Sequence, residues 1–266
     1  MSLIEYFPGD TFFHRLDPRV KILSLILTTI AIFIVQNFLV IGIIFLTILA
    51  LWLNAHLPLK TLTGYFKLLL SLFALLTLLQ GLFLGGPTTL LEPVIPRAVP
   101  LIGGLGRLSL EGIIFGLLLN LRLIALVALL PLVTMTTPIH LFALGLVRMG
   151  LSYKVAYTAT TAINLIPTLE KETGVIMDAQ KMRGFTVFEK GSFMQKMKAY
   201  PTLVVPLIIG AMRKAQIMGV AMDVRAFGTH PKRTYIEDIV MNKRDWAILV
   251  IVIVYNIAVL VANFVL

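Results

Sequence analysis

Cysteine is absent from this sequence, only 14% of its 266 residues are charged, and its four histidines are scattered. The first absence excludes disulfide frameworks and cysteine-ligated metal sites. The second excludes a water-facing globule, because soluble domains carry roughly 25% charged residues. His14, His56, His140 and His230 show no H-x-x-x-H spacing, so no histidine metal site is expected. The acids form no D-D-x-x-D-like cluster. That argues against a membrane-embedded enzyme holding a phosphorylated lipid or isoprenoid through Mg2+. A phosphate-cradling G-x-x-x-x-G-K-[ST] loop is also missing, so the chain is not expected to hydrolyse ATP itself. Met1 to Asp10 lacks a basic start followed by an apolar run and cleavage site, so no removable signal peptide is expected.

What is there is apolar. Hydrophobic residues make up 58% of the chain and mean hydropathy is +0.94, which identifies a membrane protein. Ile22 to Leu59 carries no Asp, Glu, Lys or Arg. As one helix it would be close to twice the roughly 30 Å hydrocarbon thickness. Two spans are therefore expected, Ile22–Val35 and Phe38–Leu53, turning at Gln36-Asn37. Further spans are expected at Leu68–Leu84, Leu110–Val133 and Trp246–Leu266. The Pro/Gly-rich connection Gly85–Leu108 is too broken to cross lipid. The spans are mainly aliphatic, whereas a stand-alone secondary transporter would need polar, broken helices near the bilayer midplane.

Charge gives the direction. Arg15, Arg19 and Lys21 precede the first span, and fifteen of the 23 Lys and Arg fall between Arg148 and Arg244. Basic loops stay on the cytoplasmic side, so the amino end and the basic block are both expected inside. The organisation expected is an all-α membrane protein of about five transmembrane helices. Residues 1–133 form the N-terminal membrane region, 134–244 a helical cytoplasmic region and 245–266 a final span.

Within the basic block we expect helices at Pro138–Met149, Ser152–Met182 bent near Pro167, and Pro201–Val224. The uncharged runs Val155–Leu169 and Ala199–Met212 are short for spans and read as buried or interfacial. Small residues recur at helical spacing: Ala156, Ala159 and Ala162 three apart, and Ala211, Ala215 and Gly219 four apart. Such stripes let another backbone approach closely, either within this chain or on another membrane protein. Met177, Met182, Met212, Met218 and Met222 read mainly as core filler that also suits adaptable surfaces. Thr229–Asp245 reads as an interfacial lead into the last span, its Lys and Arg facing lipid headgroups. Arg122, inside an expected span beside Asn120, reads as a structural cation that snorkels or pairs within the fold.

One cationic phrase occurs twice: Arg183-Gly184-Phe185 and Arg225-Ala226-Phe227. Each sits where a helix should stop, and a cation in a last helical turn complements the helix dipole. Gly184 is suited to the residue just past a helix end. Asp178 and Asp223 lie at spacings that do not favour pairing with these arginines. Two helices ending alike point to two sockets on a partner. There the guanidinium would bind a carboxylate bidentately and the ring would fill an apolar hole.

The chain resembles the transmembrane (T) component of energy-coupling factor transporters, the EcfT/CbiQ-like family of modular ABC importers for vitamins and trace metals. The resemblance rests on "LDPRVKIL" from Leu16 to Leu23 with Asp17, Pro18, Arg19 and Lys21, on the spans around a helical coupling region, and on the paired arginines. The family phrase reads Ala-Arg-Gly or close to it. Here Met182 and Val224 replace the leading alanine, and Ala226 replaces the second glycine. The resemblance implies a non-catalytic subunit of the prokaryotic plasma membrane, with no cofactor of its own and no nucleic-acid partner. ATP and Mg would be held by two ABC ATPase subunits. Those subunits would grip Arg183 and Arg225, and the unlike flanks hint that they differ. A separate substrate-binding S component would rest on the small-residue helices.

Overall fold

The computed structural model describes residues 7–9, 11–84, 88–91, 108–229 and 238–265. These divide into two compact units, Met1–Gly145 with Ile239–Leu266, and Leu146–Asp238. The fold is that of an all-α membrane protein. Its one β feature among the described residues is the antiparallel pair β1 (Thr89–Leu91) and β2 (Leu108–Ser109). Most of the Gly85–Leu108 connection and residues 230–237 of the Thr229–Asp245 stretch lie outside the described residues.

In the first unit, three helices begin where a side chain closes the first turn. Helix α1 (Pro18–Ile34) starts at Asp17, whose Oδ1 accepts from Arg19 N at 2.8 Å, with Pro18 preset for a helical first residue. Helix α2 (Phe38–Asn54) starts at Asn37, which accepts from Leu39 N at 2.9 Å. Helix α3 spans Leu59–Phe83. Helix α4 (Leu110–Met135) is capped by Ser109, whose Oγ accepts from Gly112 N at 3.1 Å. Helix α5 (Ile139–Arg148) begins in this unit, which its chain leaves at Gly145, and α9, Lys243–Val265, closes the unit. Helices α1 to α4 and α9 occupy the five stretches expected as spans. Helices α1 and α2, at 17 residues each, measure about 26 Å. By length and composition, α3, α4 and α9 are long and apolar enough to cross a membrane.

The buried core of this unit is aliphatic, centred on Ile32, Ile41, Ile44, Ile48, Trp52 and Leu132. Lipid tails are as apolar as leucine, so burial alone does not hold helices together in a bilayer; close packing and polar contacts do. Trp52 Nε1 donates to the Ala128 carbonyl at 2.8 Å, near Pro131 in the interior of α4. Asn120 Nδ2 reaches the Phe73 carbonyl at 3.1 Å and Thr77 Oγ1 at 2.6 Å. Thr47 Oγ1 and the Tyr255 hydroxyl lie 2.8 Å apart. Asn263 Oδ1 accepts from Gln36 N and Asn37 N at 2.9 and 3.1 Å. Arg122 Nη2 donates to the Val35 carbonyl at 2.6 Å. Val35 is the C-cap of α1, so the arginine is a structural cation closing a helix end, as its sequence position implied.

In the second unit, α6 (Tyr153–Met182) is followed by the short α7 (Val187–Lys190) and by α8 (Phe193–Val224). Helix α8 departs from expectation. It begins eight residues before Pro201 and runs for 32 residues through both Pro201 and Pro206. The early start has a local cause: Ser192 is the N-cap, and Gln195 Oε1 accepts from Ser192 N at 2.9 Å, forming a capping box. Each internal proline removes one backbone donor, and the bonds on either side carry the helix past it. At this length α8 is also long and apolar enough to cross a membrane. The uncharged run Ala199–Met212 alone is short for a span, and the helix gains its length from the residues on either side. Pro167 likewise lies inside α6.

The contact between α3 and α4 depends on glycine. A Cβ on Gly112 would meet the Gln80 carbonyl oxygen and come within 2.9 Å of Gly81 Cα, and one on Gly116 would lie 2.8 Å from Thr77 Cα. Both obstacles are backbone, which cannot move aside cheaply. Gly112 and Gly116, four apart, form a small-xxx-small contact. Gly116→Val should therefore separate the two helices and destabilise the chain by about 1–3 kcal/mol. Gly64→Ala, where nothing lies within 4 Å of the added carbon, should be neutral or mildly stabilising. Thermal unfolding of the two variants in the same detergent checks the contrast.

Candidate functional site

Helices α6 and α8 run antiparallel. Phe227, just past the end of α8, packs on Tyr153 and Tyr157 in the first turns of α6, with ring centroids 5.8 and 4.8 Å apart. Toward the other end of α6, Glu172 pairs with Lys214 of α8. The two arginine phrases consequently lie at opposite ends of the helix pair. Tyr157 to Arg183 is 26 residues (183 − 157), or on the order of 40 Å along α6.

Both phrases build the same backbone motif. Arg183 is the C-cap of α6, with φ −84° and ψ 8°, and Arg225 is the C-cap of α8, with φ −88° and ψ 10°. The next residue in each case turns left-handed, Gly184 at φ 81° and Ala226 at φ 53°. After α6, Gly184 N donates to the Lys181 carbonyl at 2.9 Å and Phe185 N to the Gln180 carbonyl at 3.0 Å. After α8, Ala226 N donates to the Asp223 carbonyl and Phe227 N to the Met222 carbonyl, both at 3.0 Å. These paired bonds make up a complete Schellman closure at each helix end. The phrase therefore specifies one turn: arginine at the cap, a small residue in the left-handed position, phenylalanine after it.

The phenylalanines do not point outward as free plugs. Phe227 is half-buried against Tyr153 and Tyr157. Phe185 packs edge-on to Phe188 at 5.8 Å, and Phe188 to Tyr200 at 6.2 Å. An aromatic ring after a Schellman turn covers apolar surface near the helix end. Here it anchors the turn to its own unit.

The arginines are presented differently. Arg183 and Arg225 are exposed, and among the described residues no hydrogen bond or ion pair engages either guanidinium. The acids nearest Arg183 are held by another cation: Lys181 Nζ lies 2.8 Å from Glu189 Oε1 and 3.8 Å from Asp178 Oδ1. Glu189 beside it raises the Lys181 ammonium above its ordinary pKa. Met182 and Val224, immediately before the arginines, are 91% and 82% exposed. Each tip thus offers a cation beside a bare apolar side chain.

The small-residue stripes are divided by the packing. Ala156 is buried inside the unit, Ala211 is half-buried, and Ala159, Ala162, Ala215 and Gly219 are exposed. Sequence reading missed Tyr153, Tyr157, Phe188 and Tyr200 as supports of the two tips. No local pattern singles them out, because the ring contacts Phe188 to Tyr200, Tyr157 to Phe227 and Tyr153 to Phe227 join residues 12, 70 and 74 positions apart.

The family model described as "CbiQ: Cobalt transport protein" matches residues 9–236. The chain belongs to this family. It is 32% identical over 256 residues to the energy-coupling factor transporter transmembrane protein EcfT of Clostridium kluyveri, covering 92% of this chain and 90% of that protein. To EcfT of Heliobacterium modesticaldum it is 33% identical over 260 residues, 95% and 93% of the two chains. EcfT of Bacillus selenitireducens is 29% identical over 270 residues. The family expectation drawn from Asp17-Pro18-Arg19-x-Lys21 and the two arginine phrases is thereby met. The protein is a multi-pass membrane protein of the EcfT/CbiQ-like transporter components.

The two turns differ in one atom group, and this gives opposite expectations. Gly184→Ala places a side chain in the left-handed position and should weaken the α6 closure by about 1 kcal/mol. Ala226→Gly relieves that conflict and should strengthen the α8 closure by up to about 1 kcal/mol. Hydrogen exchange of the Phe185 and Phe227 amides reads each closure separately: faster at Phe185 in the first variant, slower at Phe227 in the second.

Proposed function

We propose that this protein is the coupling subunit of an energy-coupling factor importer, joining two ABC ATPase subunits to a separate substrate-binding S component that carries a vitamin or trace metal. The observation that carries the reading is the pair of identical Schellman tips at opposite ends of α6 and α8, each presenting an exposed arginine that the described chain leaves without a partner. One compact socket cannot receive two tips separated on the order of 40 Å along α6. Two ATPase subunits, one at each tip, fit that separation. Gly184 and Ala226 differ in the space they leave at the turn, which supports non-identical ATPases.

Residues 134–244 form the proposed coupling region, cytoplasmic together with the amino terminus by the distribution of Lys and Arg. Each guanidinium docks bidentately on an ATPase carboxylate, with Met182 or Val224 covering the contact from water. Phe185 and Phe227 hold the tips rigid so that movement of an ATPase is passed to the helix and is not absorbed by the turn. ATP and Mg belong to the partners. The exposed members of the small-residue stripes, Ala159, Ala162, Ala215 and Gly219, offer a low surface on which the S component can lie. Ala156 serves the packing beneath.

Removing one member of a desolvated charge pair costs about 2–5 kcal/mol, roughly 30- to 4,000-fold in affinity. Arg183→Ala and Arg225→Ala should each weaken capture of an ATPase subunit by that order, and the double variant should lose assembly and uptake. Co-purification from native membranes and substrate uptake by whole cells measure both. Wild-type assembly and uptake in the double variant would overturn the reading.

A further inference from the structure

The family phrase before the first span has its own geometry, and it concerns both places where the chain passes between the two units. The chain leaves the first unit at Gly145 and re-enters it at Ile239. One helical turn, Asp17 to Lys21, grips both passages from inside the first unit.

On the outgoing side, Lys21 is buried at 1% exposure. Its Nζ donates to the Thr136 carbonyl at 3.0 Å and to Thr137 Oγ1 at 3.1 Å, in the short link between α4 and α5. Gly145, the last residue before the crossing, sits so close that an added Cβ would lie 3.1 Å from Pro18 Cβ. On the returning side, Arg19 Nη2 donates to the Ile239 carbonyl at 3.0 Å, the first residue after the crossing. Asp17 N donates to Asp245 Oδ1 at 3.3 Å, and Asp245 Oδ2 accepts from Asn242 N at 2.9 Å, just ahead of α9. Asp17 and Asp245 are both buried.

We infer that Asp17, Arg19, Lys21 and Asp245 are positioning residues that clamp the outgoing and returning passages to the start of α1, so that displacement of the second unit is delivered to the membrane helices and not lost in the links. The chemistry fits a registering device better than a stabilising one. Burying a lysine and two aspartates is a poor way to stabilise a fold, since well-packed apolar residues often do as well. A cation directed at particular backbone carbonyls instead fixes which residues meet. The same turn serves both passages, so neither can shift without the other.

The transport arm of the test rests on the coupling reading; the distance arm does not. The chain has no native cysteine, so Leu59→Cys in the first unit and Val175→Cys in the second can carry spin labels on the full chain in nanodiscs. Lys21→Met and Asp245→Asn should each broaden the distance distribution between these labels. In the assembled transporter in vesicles, both variants should retain their ATPase partners and ATP hydrolysis, while substrate moved per ATP falls roughly two- to thirtyfold. A merely structural role would lower assembly and uptake together and leave that ratio unchanged. If Lys21→Met fails to fold, Thr137→Val, which removes one acceptor and keeps the shape, carries the same expectation. An unchanged distance width, or an unchanged ratio in an assembled variant, overturns the clamp. If the wild-type chain captures no ATPase, the coupling reading fails and the distance width alone decides the clamp.

Discussion

Backbone carbonyls and amides that lose water must find partners within the chain, and the bilayer enforces this without exception along its hydrocarbon depth. The polar side chains of this protein are placed largely where a helix ends, a proline interrupts or a link begins. Arg122 closes the carbonyl end of α1, Trp52 reaches the α4 backbone near Pro131, and Asn263 takes the two amides of the α1–α2 turn. Lys21 does the same for the link between α4 and α5. Polar side chains within the membrane helices of the first unit are thus used for backbone continuity. No polar path across the lipid is needed to explain them.

The same constraint explains the two arginine tips. A helix that stops must satisfy its last carbonyls, and the Schellman turn does so with two backbone bonds and one left-handed residue. That closure leaves the cap side chain unused for bonding. Where the cap is arginine, the closed end becomes a rigid cationic point. The aromatic residue after it is drawn back onto the unit, which stiffens the point. Proposed coupling to two motor subunits follows from having two such points at opposite ends of one antiparallel pair. The proposed clamp at Asp17–Lys21 supplies the complementary requirement, because a rigid lever transmits motion only when its base is held.

Much of the helical framework was legible because its signals are local. An uncharged stretch twice the bilayer thickness must fold back, and Gln36-Asn37 was the polar pair available to turn it. The repeated Arg-small-Phe announced two helix ends. The start of α8 lies ahead of Pro201 because the capping box of Ser192 and Gln195 opens the helix eight residues earlier. The glycine pair on α4 went unnoticed for a different reason: its meaning depends on Gln80 and Gly81 of another helix.

By itself, the sequence determined that the chain lives in a membrane, which stretches form its apolar helices, and that one cationic turn is made twice. These follow from composition, periodicity and capping, which act over a few residues. Only the tertiary structure decided that the two turns face opposite ends of a helix pair, that Phe185 and Phe227 pack half-buried against aromatic rings of their own unit, and that one turn of α1 holds both links. Those outcomes depend on which distant residues meet. That is settled by packing and by the need to pair buried polar groups, not by any local pattern.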